Sequence, residues 1–218
     1  MKQRVFNLII LDESGSMSSI ERQAIDGVNE TVQTIRAAQK KHEEQEHYVT
    51  LVTFNSDSVK TVYDNVEAEK VEELTDRQYQ PACATPLYDA MGNALNGLRK
   101  KVADDDAVLV TVITDGYENA SCEYDGKAIK GLVESLKKKG WVFTYIGANQ
   151  DVEAVAAAMS ITNTLSFSAD AQGTSAMFAR ERKARSRWAD RLTCGFAMSE
   201  MANDFFAEDE STAKDELY

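Results

Sequence analysis

Asp12, Ser14 and Ser16 stand at alternate positions in the run Asp12-Glu13-Ser14-Gly15-Ser16, a carboxylate followed by two hydroxyls. Alternate residues can turn their oxygens toward one point, and Gly15 permits the tight path between them. A second acid, Asp115, closes the run Ile113-Thr114-Asp115-Gly116, and a further hydroxyl, Thr85, precedes Pro86. Proline favours the first helical position and keeps its predecessor out of helical geometry, so Thr85 should project its hydroxyl from a helix end. Two acids and three hydroxyls form an oxygen-only donor set that suits a hard divalent cation, Mg²⁺ or Mn²⁺ with Ca²⁺ as a further candidate, better than zinc.

The elements that must position these residues follow from periodicity. Six β-rich runs, Val5–Leu11, Tyr48–Phe54, Val59–Val66, Ala107–Thr114, Trp141–Ile146 and Thr162–Phe167, alternate with helical stripes. The stripes are Ile25/Val28/Val32/Ile35, Leu87/Met91/Ala94/Leu98/Val102, Ile129/Leu132/Val133/Leu136 and Val152/Val155/Ala156/Met159. Only Asn55–Ser58 separates the second and third runs, too little for a helical crossover, so these two pair as an antiparallel hairpin. The remaining connections should be right-handed βαβ crossovers. The expected fold is α/β, Rossmann-like and doubly wound: a mostly parallel six-stranded sheet with one antiparallel strand, helices on both faces, and a C-terminal helical extension. Residues 1–168 form the sheet domain and 169–218 the extension with its acidic tail. Asp12 and Asp115 then sit past the carboxyl ends of their strands, where open α/β sheets bind ligands.

Asp12-x-Ser14-x-Ser16, Thr85 and Asp115-Gly116, in this order and spacing, resemble the metal-ion-dependent adhesion site of von Willebrand factor type A domains. The likeness covers roughly residues 4–167. The phrases Thr85-Pro86-Leu87-Tyr88-Asp89-Ala90 and Ile146-Gly147-Ala148-Asn149-Gln150-Asp151 look most like the bacterial cytoplasmic branch. The resemblance implies that Ser14 and Ser16 bind the metal directly, that Asp12, Thr85 and Asp115 bind it directly or through water, and that a partner protein's Asp or Glu takes the open position. The competing reading makes the acids ordinary loop acids and the hydroxyls helix caps; all five falling in register weighs against it. Ser18 or Ser19 is the expected cap of the first helix, and Glu13, Glu118 and Asn119 are candidates for the rim.

Composition bounds the function. With 36 Asp and Glu against 24 Lys and Arg in 218 residues, the net charge is −12, which argues against nucleic acid as a partner. No apolar run reaches the roughly 18–20 residues that span a bilayer, and the stretch after the basic N-terminus is too short for a signal peptide, so a cytoplasmic protein is expected. Three cysteines without close-spaced pairs indicate neither a disulfide framework nor a zinc site. Cys83 and Cys122 read as small buried residues, with a redox switch as the alternative, and Cys194 as core. His42 and His47 read as solvated.

A serine hydrolase would want G-x-S-x-G, and a haloacid-dehalogenase-type phosphatase a second Asp where Ser14 stands, so no catalytic constellation is found. The reading is therefore a metal-dependent protein-binding module and not an enzyme. A Mg²⁺-dependent hydrolase or phosphoryl-transfer enzyme is one alternative. The other is a metal-independent scaffold acting through the helix around Arg180, Arg182, Lys183, Arg185, Arg187 and Arg191, whose basic face could dock an acidic partner or the acidic stretch from Glu200 to Tyr218.

Overall fold

The computed structural model describes residues 2–194 and 203–207. Its strands are β1 (Gln3–Asp12), β2 (Gln45–Phe54), β3 (Val59–Glu67), β4 (Ala107–Thr114), β5 (Val142–Gly147) and β6 (Asn163–Ser166). The helices are α1 (Glu21–Lys41), α2 (Leu87–Leu98), α3 (Gly126–Lys137), α4 (Val152–Ala158) and α5 (Ala171–Thr193). The strands form one sheet in the order β3-β2-β1-β4-β5-β6, with β3 antiparallel to β2 and every other pair parallel. All six expected runs are strands, and the hairpin is as expected, its turn closed by Asn55 Oδ1, which accepts from the N–H groups of Asp57 and Ser58.

β1 and β4 are apolar nearly throughout because both faces of the sheet are covered. Val5, Ile9, Leu11, Val49 and Leu51 point toward α1 and α5, while Phe6, Leu8, Ile10, Val108, Val110 and Val112 pack with α2, α3 and α4. The stripe through Val102 is longer than its helix: α2 stops at Leu98. The chain then turns through Asp106, whose carboxylate accepts from Ala103 N at 2.6 Å and pairs with Arg4.

α5 lies against α1 so closely that a Cβ at Gly27 would sit 2.1 Å from the Phe178 ring. Its apolar stripe, Met177, Ala184 and Trp188, is buried as its spacing predicts, with Leu192 half-buried beside it. The basic residues divide. Arg180 and Lys183 are exposed, Arg182 pairs with Glu30, and Arg191 pairs with Asp204 at 2.8 Å. Arg185, off the face that Arg180, Lys183, Arg187 and Arg191 share, is 2% exposed. Phe205 and Phe206 are buried in the same core, and Phe205 N donates to Asn163 Oδ1 of β6. The rest of the acidic stretch after Glu200 lies outside the described residues.

Arg185 belongs to a polar network under α5. Its guanidinium donates to Glu181 on its own helix, to Asn7 Oδ1 of β1 at 2.7 Å and to Thr111 Oγ1 of β4 at 2.8 Å. His47 joins through Asn7 and Gln45, and Gln45 reaches Ala189 O and Thr193 Oγ1. Neither histidine is solvated, contrary to the sequence reading: His47 alternates inward along β2, and His42 is held between α1 and Asp190. The cysteines also reverse, all three being exposed. Cys83 and Cys122 lie in surface loops, where their thiols donate to Asp57 Oδ2 and Ala120 O, and Cys194 ends α5.

Burial, with Arg185 and then His42 adding, lowers the His47 imidazole to about 4, so it is neutral in the fold. Below the unfolded value of about 6.5 the unfolded chain binds a proton that the fold refuses, so this residue costs stability as pH falls from about 6.5 to 4. The full difference is about 3 kcal/mol. In urea titrations, His47→Gln should flatten that part of the stability profile relative to the parent protein. A second expectation concerns α5: Gly27→Ala should lose about 1–2 kcal/mol by urea denaturation, because the clash with Phe178 outweighs the helix propensity gained.

Candidate metal centre

β1 and β4 run parallel and adjacent, so their carboxyl ends open at one edge of the sheet. Asp12 is fully buried there. Its Oδ1 accepts from Ser14 N at 2.7 Å and its Oδ2 from Thr114 Oγ1 at 2.6 Å. Beyond it the chain enters a 3-10 turn, Gly15–Ile20, before α1 begins at Glu21. Neither Ser18 nor Ser19 caps α1; Ile20 holds the cap position without a side-chain bond.

The two serines face one another, Ser14 Oγ lying 3.2 Å from Ser16 Oγ, and Ser16 Oγ donates to Asp115 Oδ1 at 2.5 Å. A Cβ on Gly116 would stand 3.7 Å from Ser16 Oγ and 4.0 Å from Thr85 Oγ1, so Thr85 reaches the same place. All five sequence-predicted residues thus converge. As helix caps they fail: Ser14 makes no capping bond, and Pro86, not Thr85, occupies the cap position of α2. The Thr85 hydroxyl has no hydrogen-bond partner among the described residues.

Thr85 is delivered by a segment stitched to the first loop. Tyr79 Oη donates to Asp12 O at 2.7 Å, Ala82 N to Glu13 O at 2.9 Å and Gly15 N to Cys83 O at 3.0 Å. Glu13, expected at the rim, is instead fully buried; Oε1 accepts from Lys60 Nζ at 2.8 Å and from Gln80 N at 2.7 Å, while Oε2 has no partner. On the other side, Thr85 N donates to Asn119 Oδ1 and Asn119 N to Thr85 O, tying the α2 segment to the loop after Asp115. Glu118 also holds that loop from within. Sequence reasoning missed Tyr79 and Thr114. Thr114 carried a signal in its place beside Asp115; Tyr79 carried none, since its role exists only across the fold.

The electrostatics are those of a site short of positive charge. Burial pushes the Asp12 carboxyl up to about 6, against hydrogen bonds from Thr114 and Ser14 and with nearby Asp115 adding to the rise. Burial likewise raises Asp115, against the bond from Ser16. A divalent cation would remove this penalty, and the donors fit one: two carboxylates and three hydroxyls, all hard oxygen. Among the described residues no three His, Cys, Asp or Glu side chains gather at one point.

The comparisons with known proteins agree with this architecture. No curated protein matches the chain. Among solved structures it is similar to the pilus adhesin SpaC from Lactobacillus rhamnosus GG in its open conformation, with TM-score 0.63 and 14% identity over 86% of this chain and 30% of that one. It is also similar to the PilB minor pilin from Streptococcus sanguinis, with TM-score 0.60 and 13% identity over 88% and 64%. The vWF domain of the type V pili tip protein Mfa5 from Porphyromonas gingivalis gives 0.58 and 12% over 89% and 97%. The chain thus spans under two-thirds of the pilin and under one-third of SpaC, and identities this low speak to fold alone. The sequence itself matches the von Willebrand factor type A domain across residues 8–179, which take in every strand from within β1 onward and the start of α5, and the chain belongs to that family.

Proposed function

We propose that this chain is a divalent-cation-dependent protein-interaction module. Asp12, Ser14, Ser16, Thr85 and Asp115 hold Mg²⁺, with Mn²⁺ or Ca²⁺ as substitutes, and an Asp or Glu of a partner protein completes the coordination. The observation that carries this reading is the convergence of Ser14 Oγ, Ser16 Oγ and Asp115 Oδ1 within hydrogen-bonding reach above two adjacent parallel strands, beside a buried Asp12. Bound there, the cation would supply positive charge to two acids that burial penalises and keep Lewis acidity for an incoming carboxylate. The family's general use in protein interaction, and the pilin and adhesin neighbours, point the same way.

Binding is favoured over turnover by where the histidines lie. His47 is opposite Val5, at the amino end of β1, about 23 Å of strand from Asp12 at the other end. His42 precedes β2 at that same end. The oxygens nearest Ser14 and Ser16 are each other and Asp115, with no imidazole to take a proton. On the basic face that Arg180, Lys183, Arg187 and Arg191 share, Arg191 is already taken by Asp204 of the chain's own acidic stretch, while Arg180 and Lys183 stay exposed, so the metal-independent scaffold reading keeps part of its docking surface. We place the protein in the cytoplasm of a bacterium. Three free, exposed cysteines suit a reducing compartment, and no helix among the described residues is long and apolar enough to cross a membrane.

The test is thermal. With Mg²⁺ at about 100 times its Kd, mass action adds about 2.7 kcal/mol and should raise the melting temperature by about 5–10 °C over the EDTA value. Asp12→Ala and Ser14→Ala should each abolish the shift. Equal melting temperatures in Mg²⁺ and EDTA for the parent protein would sink the reading.

A further inference from the structure

α2 starts without a cap of its own: Pro86 at its N-cap makes no side-chain bond, and the N–H groups of Tyr88 and Asp89 point out of the first turn. The loop after Asp115 satisfies both. Tyr88 N donates to Glu118 Oε2 at 2.9 Å, and Asp89 N to Ser121 Oγ at 3.1 Å. The debt is returned, because Asp89 accepts from three successive loop N–H groups, Cys122 at 2.8 Å, Glu123 at 2.9 Å and Tyr124 at 2.8 Å. Glu118 meanwhile accepts from Ala120 N, Ser121 N and Ser121 Oγ, folding the loop on itself. The three loop donors also outweigh burial and keep the Asp89 carboxyl below its usual range, so it stays a charged acceptor at neutral pH.

We propose that Asp89 and Glu118 are positioning residues of the cation site, locking the loop that carries Asp115 to the first turn of α2, just after Thr85. This rests on the metal-binding reading above and adds residues that touch no ion. Without the lock, the two segments would keep the Thr85–Asn119 pair beside Gly116 and, farther along α2, the bonds from Asn93 to Glu123 and from Asn96 to Tyr124. The lock therefore fixes the spacing between Thr85 Oγ1 and Asp115, which a small octahedral ion demands and a larger, irregularly coordinated one tolerates.

The experiment is calorimetric titration of the full chain with Mg²⁺ and with Ca²⁺. Asp89→Asn removes the charge and half of the acceptors and should weaken Mg²⁺ by about tenfold, as supporting partners of metal ligands do, while Ca²⁺ weakens by about threefold or less. Glu123→Gln removes a charge from the same loop but keeps the N–H that Asp89 holds, and should leave Mg²⁺ within about twofold. Equal losses for both ions, a loss matched by Glu123→Gln, or unchanged Mg²⁺ binding in Asp89→Asn would each overturn the proposal. If Asp89→Asn is unfolded at the assay temperature, Ser121→Ala, which removes the hydroxyl that accepts from Asp89 N and donates to Glu118 Oε2, decides on the same Mg²⁺ to Ca²⁺ ratio. A parent protein that responds to neither ion would remove the metal reading itself, and the positioning role with it.

Discussion

Two carboxylates buried side by side are the constraint around which this fold is arranged. Because β1 and β4 are parallel neighbours, Asp12 and Asp115 must leave the sheet at the same edge, where each loses water and Asp115 adds to the rise at Asp12. Isolated buried charges of one sign are costly. What surrounds them reads as compensation: Thr114 and the Ser14 amide on Asp12, the Ser16 hydroxyl on Asp115, and an unpartnered Thr85 hydroxyl facing the same point. Neutral donors soften such a penalty without cancelling it, and the proposed cation would supply the missing positive charge.

A second buried charge system lies midway along the same two strands. Arg185 bridges α5 to Asn7 of β1 and Thr111 of β4, with Glu181 as its counter-ion. Buried ion pairs of this kind contribute little net stability but are expensive to break, so they fix how one element sits on another. Here the pair fixes α5 over the centre of the sheet, helped by the tight Gly27–Phe178 approach and by Phe205 and Phe206 returning to the same core. Polar groups thus hold β1 at its carboxyl end, through the loop site, and at its middle, through α5.

The loops carry the precision. Acidic side chains that an eye on composition would assign to a solvated surface are spent on backbone N–H groups: Asp89 takes three, Glu118 two with a hydroxyl and an α2 amide, Asp106 one. Glu13 lies wholly inside, joined to Lys60 and Gln80. Part of the net charge of −12 is therefore internal scaffolding, and it does not describe the surface a partner would meet.

Much of this was legible in the linear chain. Local rules of periodicity and turn chemistry identify the six strands, the hairpin at Asn55–Ser58 and the five oxygen donors, because strand and helix patterns depend on residues a few positions apart. Side-chain environment does not follow those rules. Nothing near His47 in sequence announces that α5 will cover it, nothing near Arg185 that its side chain will reach β1 and β4, and nothing near Cys83 that its loop will turn it outward. The same holds for Tyr79 and Glu13, whose partners lie on other segments. The sequence by itself determined which elements form and which residues could bind a cation. Only the tertiary structure decided which polar groups are dry, because burial depends on contacts between segments far apart along the chain.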